Sequence, residues 1–97
     1  MNTDWKFDQP KNAEAVTSVQ IIQNNKPILL VSHYSEDRDW AFLPGGPFSM
    51  EEAQLVTMEQ IIQIDPTVME IANLEPGWSA ERKAVGEEWV KYEDSEI

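Results

Sequence analysis

The chain has no cysteine, one histidine and few basic residues, with seven Lys and Arg against eighteen Asp and Glu. Without cysteine there is no disulfide framework and no thiolate metal site. A lone histidine is too few for an ordinary zinc site. No apolar run approaches the ~20 residues needed to span a bilayer. The stretch Met1-Asn2-Thr3-Asp4-Trp5-Lys6 lacks the basic and apolar regions of a signal peptide. Together these absences lead to the expectation of a cytoplasmic protein with no metal and no cofactor. The scarcity of Lys and Arg also argues against nucleic acid and anionic membrane as partners, because a field of this sign repels phosphate.

What is present is a formal charge of −11 on 97 residues. That charge attracts basic proteins and speeds encounter with them; its plain alternative is solubility. The length fits one domain. Hydrophobic residues make up 41% of the chain and include four tryptophans, enough for one core in which every large apolar side chain matters.

Along the chain, residues 1–13 form a polar segment whose Trp5 and Phe7 suit either an edge strand or a tail docking two aromatics. Residues 14–92 read as one α+β domain, and 93–97 as an acidic tail. Residues 14–23 are β-branched and alternate, which predicts a strand. Asn24-Asn25-Lys26-Pro27 reads as a turn, and 28–34 as a second strand paired with the first in an antiparallel hairpin. A charged turn, Ser35–Asp39, leads to a third strand at Trp40–Leu43, broken by Pro44-Gly45-Gly46-Pro47. Leu55-Val56 is a short extended piece. Thr57 and Gln60 have capping-box spacing, so a helix starts near 58. Asp65-Pro66 interrupts it and opens a second short helix. Trp78–Val85 and Glu88–Tyr92 read as two more strands. The expected architecture is an antiparallel sheet of about five strands, order β-β-β-α-α-β-β, with one or two short helices packed on one face. Exposed strand edges leave a homodimer open.

The chemistry-bearing motifs are weak. Trp40-x-Phe42-Leu43-Pro44-Gly45-Gly46 resembles the opening of a Nudix hydrolase box, and Glu52 falls at the first glutamate spacing. Gln60 and Ile61 then stand where that family has Arg and Glu, and Ile64 and Asp65 where it has paired glutamates. No Gly-Lys-Ser/Thr follows for a phosphate loop. His33 is flanked by Ser32 and Ser35 on a predicted strand, where Ser32 points to the opposite face, so a structural role is preferred to a nucleophile–base pair. Asp37-x-Asp39 lacks the rest of a calcium loop. Trp40, Trp78 and Trp89 suit a core at least as well as an interface. Arg82 reads as the partner of a carboxylate such as Glu88.

A pattern in the second half carries a resemblance. It runs Asp39-Trp40-x-Phe42 and Gly45, then Ile64-Asp65-Pro66, then Leu74-x-Pro76-Gly77-x-x-Ala80-x-Arg82, and Trp89. The chain resembles the Immunity protein 33 family from about Ala15 to Tyr92. Asp39 stands where that family has glycine, and Leu43–Pro47 where it has an acidic stretch. The resemblance implies a cytosolic bacterial antidote that binds and inhibits a toxin, with no catalytic residues. The expected partner is therefore a basic toxin domain. The charge pattern makes Asp37, Asp39, Glu51 and Glu52 the candidate partner-binding residues. Two other readings stay open: an interaction or regulatory domain with no toxin partner, and a divergent pyrophosphohydrolase.

Overall fold

The alternating segment does begin a strand, but β1 covers only Glu14–Ser18 in the computed structural model, which describes residues 5–97. The Ser18 hydroxyl accepts the Gln20 amide N–H at 3.1 Å and opens a helix, α1 (Val19–Asn24). Asn25 closes it in the left-handed region at φ 58°, donating its N–H to the Gln20 carbonyl. Val19, Ile21 and Ile22 favour extended structure by propensity. A serine cap at one end and an asparagine stop at the other override them. The expected hairpin between 14–23 and 28–34 is therefore absent.

Strand β2 (Leu30–His33) instead pairs antiparallel with β3 (Trp40–Leu43) across the charged turn, with His33 opposite Trp40. Gly45 follows at φ 85°, and a Cβ there would sit 3.3 Å from Leu29 Cβ, so the turn after β3 favours glycine on both counts. A 3₁₀ turn (Met50–Glu52), capped by the Ser49 hydroxyl, leads into β4 (Ala53–Thr57). The extended piece at Leu55-Val56 is thus a full strand, paired with β1 in antiparallel register.

Helix α2 (Met58–Ile64) starts on the expected capping box, with Thr57 and Gln60 satisfying each other's backbone N–H groups. Asp65 caps the next turn through the Thr67 N–H, and Pro66 takes its first position. That turn, Pro66–Ile71, is 3₁₀. Strand β5 (Trp78–Glu81) is shorter than the expected 78–85, and β6 (Val90–Glu93) begins two residues later than expected.

The strand order is β4-β1-β3-β2-β5-β6 in one six-stranded sheet. It is mixed, because β3 slots between β1 and β2 and so runs parallel to β1. The α+β class holds, with short helical segments on one face. Ile21 of α1, Met58 and Ile61 of α2, and Val68 and Ile71 of the 3₁₀ turn join one buried cluster with Ala15, Val31, Phe42, Val56 and Ala80 of the sheet. Near the N-terminus, residues 1–4 lie outside the described residues. From Trp5 on the segment is a docked tail with no strand: Phe7 is buried edge-on against Trp40 at 4.9 Å. At the other end, Ser35 Oγ donates to the Ile97 carbonyl at 2.9 Å.

Candidate protein-binding site

The lone histidine is built into the fold. His33 is 2% exposed and stacks on Trp40 at 4.0 Å with the rings 14° from parallel. Its Nδ1 lies 2.8 Å from the Leu74 carbonyl, and its Nε2 faces Asp8 Oδ2 at 3.4 Å. The other Asp8 oxygen accepts the Trp40 indole N–H at 3.0 Å. Asp8 thus holds the N-terminal tail against β2 and β3. Ser32 points to the other face, as expected, where its Oγ meets Ser79 Oγ at 2.8 Å.

Arg82 is similarly enclosed. It pairs with Asp65 at 2.6 Å, not with Glu88. It also donates to the Thr67 hydroxyl and the Ile28 carbonyl, and its guanidinium lies 4.2 Å over the Trp89 ring. The capping carboxylate of the 3₁₀ turn is thereby tied to β5. Of the three later tryptophans, Trp40 is fully buried, while Trp78 and Trp89 are half-buried and pack against the core. In the Nudix-like stretch, Glu52 accepts from the Gln20 side chain at 3.0 Å, Ile61 is fully buried, and Asp65 is the arginine partner. Those positions therefore serve packing and pairing in this fold. Among the described residues no group of three or more His, Asp or Glu side chains converges to hold a metal ion.

The four candidate carboxylates fall into two pairs. Asp37 and Asp39 are exposed in the turn between β2 and β3, where Asp37 Oδ1 accepts the Asp39 N–H at 3.0 Å. Glu14 begins β1 on the same level, because Val16 is in register with Ala41 of the parallel strand. Partial loss of hydration, then the charge and hydrogen bond of Asp37, then the charge of Glu14 raise the Asp39 carboxyl above the ordinary carboxylate range. Glu51 and Glu52 lie in the 3₁₀ turn before Ala53, and Ala53 is level with Ser18 at the far end of β1. Four residues at a rise of about 3.3 Å set the two pairs at least ~13 Å apart along the strands. They flank the sheet from opposite ends and do not form one patch. Glu14 carried no signal beyond its charge in the sequence; only the parallel β1–β3 register brings it to Asp39.

On the helical side, Trp5, Ile62 and Met69 line a groove of about 390 Å³ with Lys11, whose ammonium lies 5.7 Å from the Trp5 ring. No helix of the described residues is long and apolar enough to cross a membrane. Comparison of the chain with protein-family models, with curated proteins and with solved structures finds no match.

Proposed function

We propose that the chain is an acidic protein-binding domain of the immunity-protein type, a cytoplasmic antidote that inhibits a bacterial toxin by covering it. The observation that carries this reading is the crowding of Glu14, Asp37 and Asp39 where β1 and β3 lie side by side. Loss of hydration, then the charge and hydrogen bond of Asp37, then the charge of Glu14 raise the Asp39 carboxyl, and a cation supplied by a partner would ease the repulsive part. The formal charge of −11 gives the same sign at long range and accelerates encounter with a basic partner. Inhibition by occlusion needs no reactive group from this chain, and its histidine and its buried arginine are committed to the core. The resemblance in the second half to the Immunity protein 33 family points the same way.

The test is affinity capture from the source cells at low and high salt, read by mass spectrometry, followed by co-expression. The reading expects one basic protein, lost at high salt, whose expression alone arrests growth and whose effect this chain reverses. Capture of metabolic or regulatory proteins with no toxicity would instead make the chain an interaction domain of another pathway.

A further inference from the structure

The sheet ends in two edge strands, β4 and β6, whose outward backbone groups are treated differently. At β4 the Met58 N–H donates to the Ala13 carbonyl at 2.9 Å, one step beyond the Glu14–Thr57 pair. Antiparallel pairs alternate between hydrogen-bonded and non-hydrogen-bonded. Val56 and Gln54 therefore bond to β1, and the backbone groups of Ala53, Leu55 and Thr57 turn outward. The flanking turns take up the outer donors: the Ala53 N–H goes to the Met50 carbonyl and the Thr57 N–H to Gln60 Oε1. Among the described residues that leaves the Leu55 N–H as the donor this edge still presents.

The β6 edge is open. Asp94 donates its N–H to the Gly77 carbonyl at 2.8 Å, one step beyond the Trp78–Glu93 pair. By the same alternation Tyr92 and Val90 bond to β5, and the N–H and C=O of Lys91 and Glu93 turn outward. Among the described residues no loop backbone or side chain takes these groups. The whole strand is exposed. Lys91 and Glu93 also carry opposite charges and enter no ion pair among the described residues; the Lys91 ammonium rests on the neutral Asn73 Oδ1 at 3.0 Å.

A row of unpaired donors and acceptors is a template for another strand, and β6 is complementary to itself. Laid antiparallel about a two-fold axis through Tyr92, the edge sets Lys91 of each copy opposite Glu93 of the other. Each such pair exchanges both N–H···O=C bonds and opposes unlike charges, which favours it. An axis through Lys91 or through Glu93 instead sets like charges face to face. We propose that β6 is a self-association edge, at which a second copy of the chain continues the six-stranded sheet in the register centred on Tyr92. This goes beyond the toxin reading and does not rest on it. The charge of −11 on each copy opposes the dimer at long range, so salt strengthens it by screening. That is the reverse of the salt response expected with a basic partner.

The experiment is sedimentation of the full chain over a range of protein and salt concentration. The wild type is expected to pass from monomer to dimer as its concentration rises, and to do so earlier in high salt. Lys91→Glu alone and Glu93→Lys alone each set like charges across the edge and are expected to weaken the dimer about tenfold. Mixed in equal amounts, the two variants restore unlike charges at every pair and are expected to dimerise with each other as the wild type does. A second readout stands even if a charge variant misfolds. The chain has no cysteine, and the non-hydrogen-bonded pair on the axis brings the Cα atoms to about 4.5 Å, within disulfide reach. Oxidation of Tyr92→Cys is therefore expected to link two copies faster than oxidation of Leu55→Cys on the other edge. The proposal is overturned by a wild type that stays monomeric at every concentration and salt, or by a dimer that both single variants leave unchanged. A mixture no better than its components, or equal rates of linkage at the two cysteines, overturns it as well.

Discussion

The two faces of the sheet are built from the same strands on different principles. The helical face carries Trp40, Phe42, Val31 and Val56, all covered, with Asp65 paired to the buried Arg82 and Asp8 set beside His33. The other face carries Leu55, Val90 and Tyr92 in the open at its two edges around a buried centre of Ala41, Ser32 and Ser79, and Asp37, Arg38 and Asp39 lie in the turn at one end of the sheet. A charge on the helical face is a matter of stability, because removing its partner leaves it buried alone. An exposed charge at the rim of the other face costs little stability to remove. Mutations on the two faces should therefore separate folding from binding.

The largest losses belong to the helical face. Trp40→Ala removes a fully buried ring stacked between His33 and Phe42. It should cost about 3–5 kcal/mol in urea unfolding, a large share of the stability of a domain this size. Arg82→Met strands the Asp65 carboxylate in the core. A loss of about 3–5 kcal/mol is expected, while Asp65→Leu combined with Arg82→Met should recover much of it. Recovery of nothing would mean that the pair fixes the 3₁₀ turn through the Thr67 contact and not through charge.

Smaller effects follow at the caps and on the other face. Thr57→Ala removes the capping box of α2 and should cost about 1 kcal/mol. Leu55→Asp should stay within about 0.5 kcal/mol, as for exposed positions without special contacts; a larger loss would show that something in the chain covers this face. Asp39→Asn should not destabilise at neutral pH. The folded carboxyl is raised, so its contribution is present below the unfolded value near 3.8 and is lost as pH rises through the folded one. At pH 7 the ionised group opposes folding, and its neutral replacement should leave stability equal or slightly higher in a comparison of unfolding at pH 3 and pH 7.

Much of this was legible in the sequence, and what was not has identifiable causes. The helix at Thr57–Gln60 and the Asp65-Pro66 break announce themselves through side chains that cap backbone groups a fixed distance away. Strand β3 was readable from the alternation of Trp40 and Phe42 and its proline–glycine stop. Helix α1 was hidden because Val19, Ile21 and Ile22 prolong the β-like pattern of β1, while its determinants are only Ser18 and Asn25. Once that helix turns the chain, β1 lies beside β3 and not β2. Such long-range pairing leaves no local trace. The same gap hid part of the candidate surface: Asp37 and Asp39 stood out as a charged turn, but Glu14 joins them only through the parallel register. Arg82 was expected to pair, yet with Glu88, its near neighbour in sequence; the fold gives it Asp65 from seventeen residues away.

The central claim is that the two carboxylate pairs at the ends of the sheet serve association. The measurement that tests it most directly is stopped-flow association with the captured basic partner, across a range of salt, for the wild type, Asp37→Lys/Asp39→Lys and Glu51→Lys/Glu52→Lys. Unfolding midpoints of the same proteins provide the control. The account predicts that each pair, lying at one end of the sheet, slows association and flattens its salt dependence, the Asp pair by tenfold or more, with unfolding midpoints little changed. Association rates that stay at the wild-type value in both variants would contradict it.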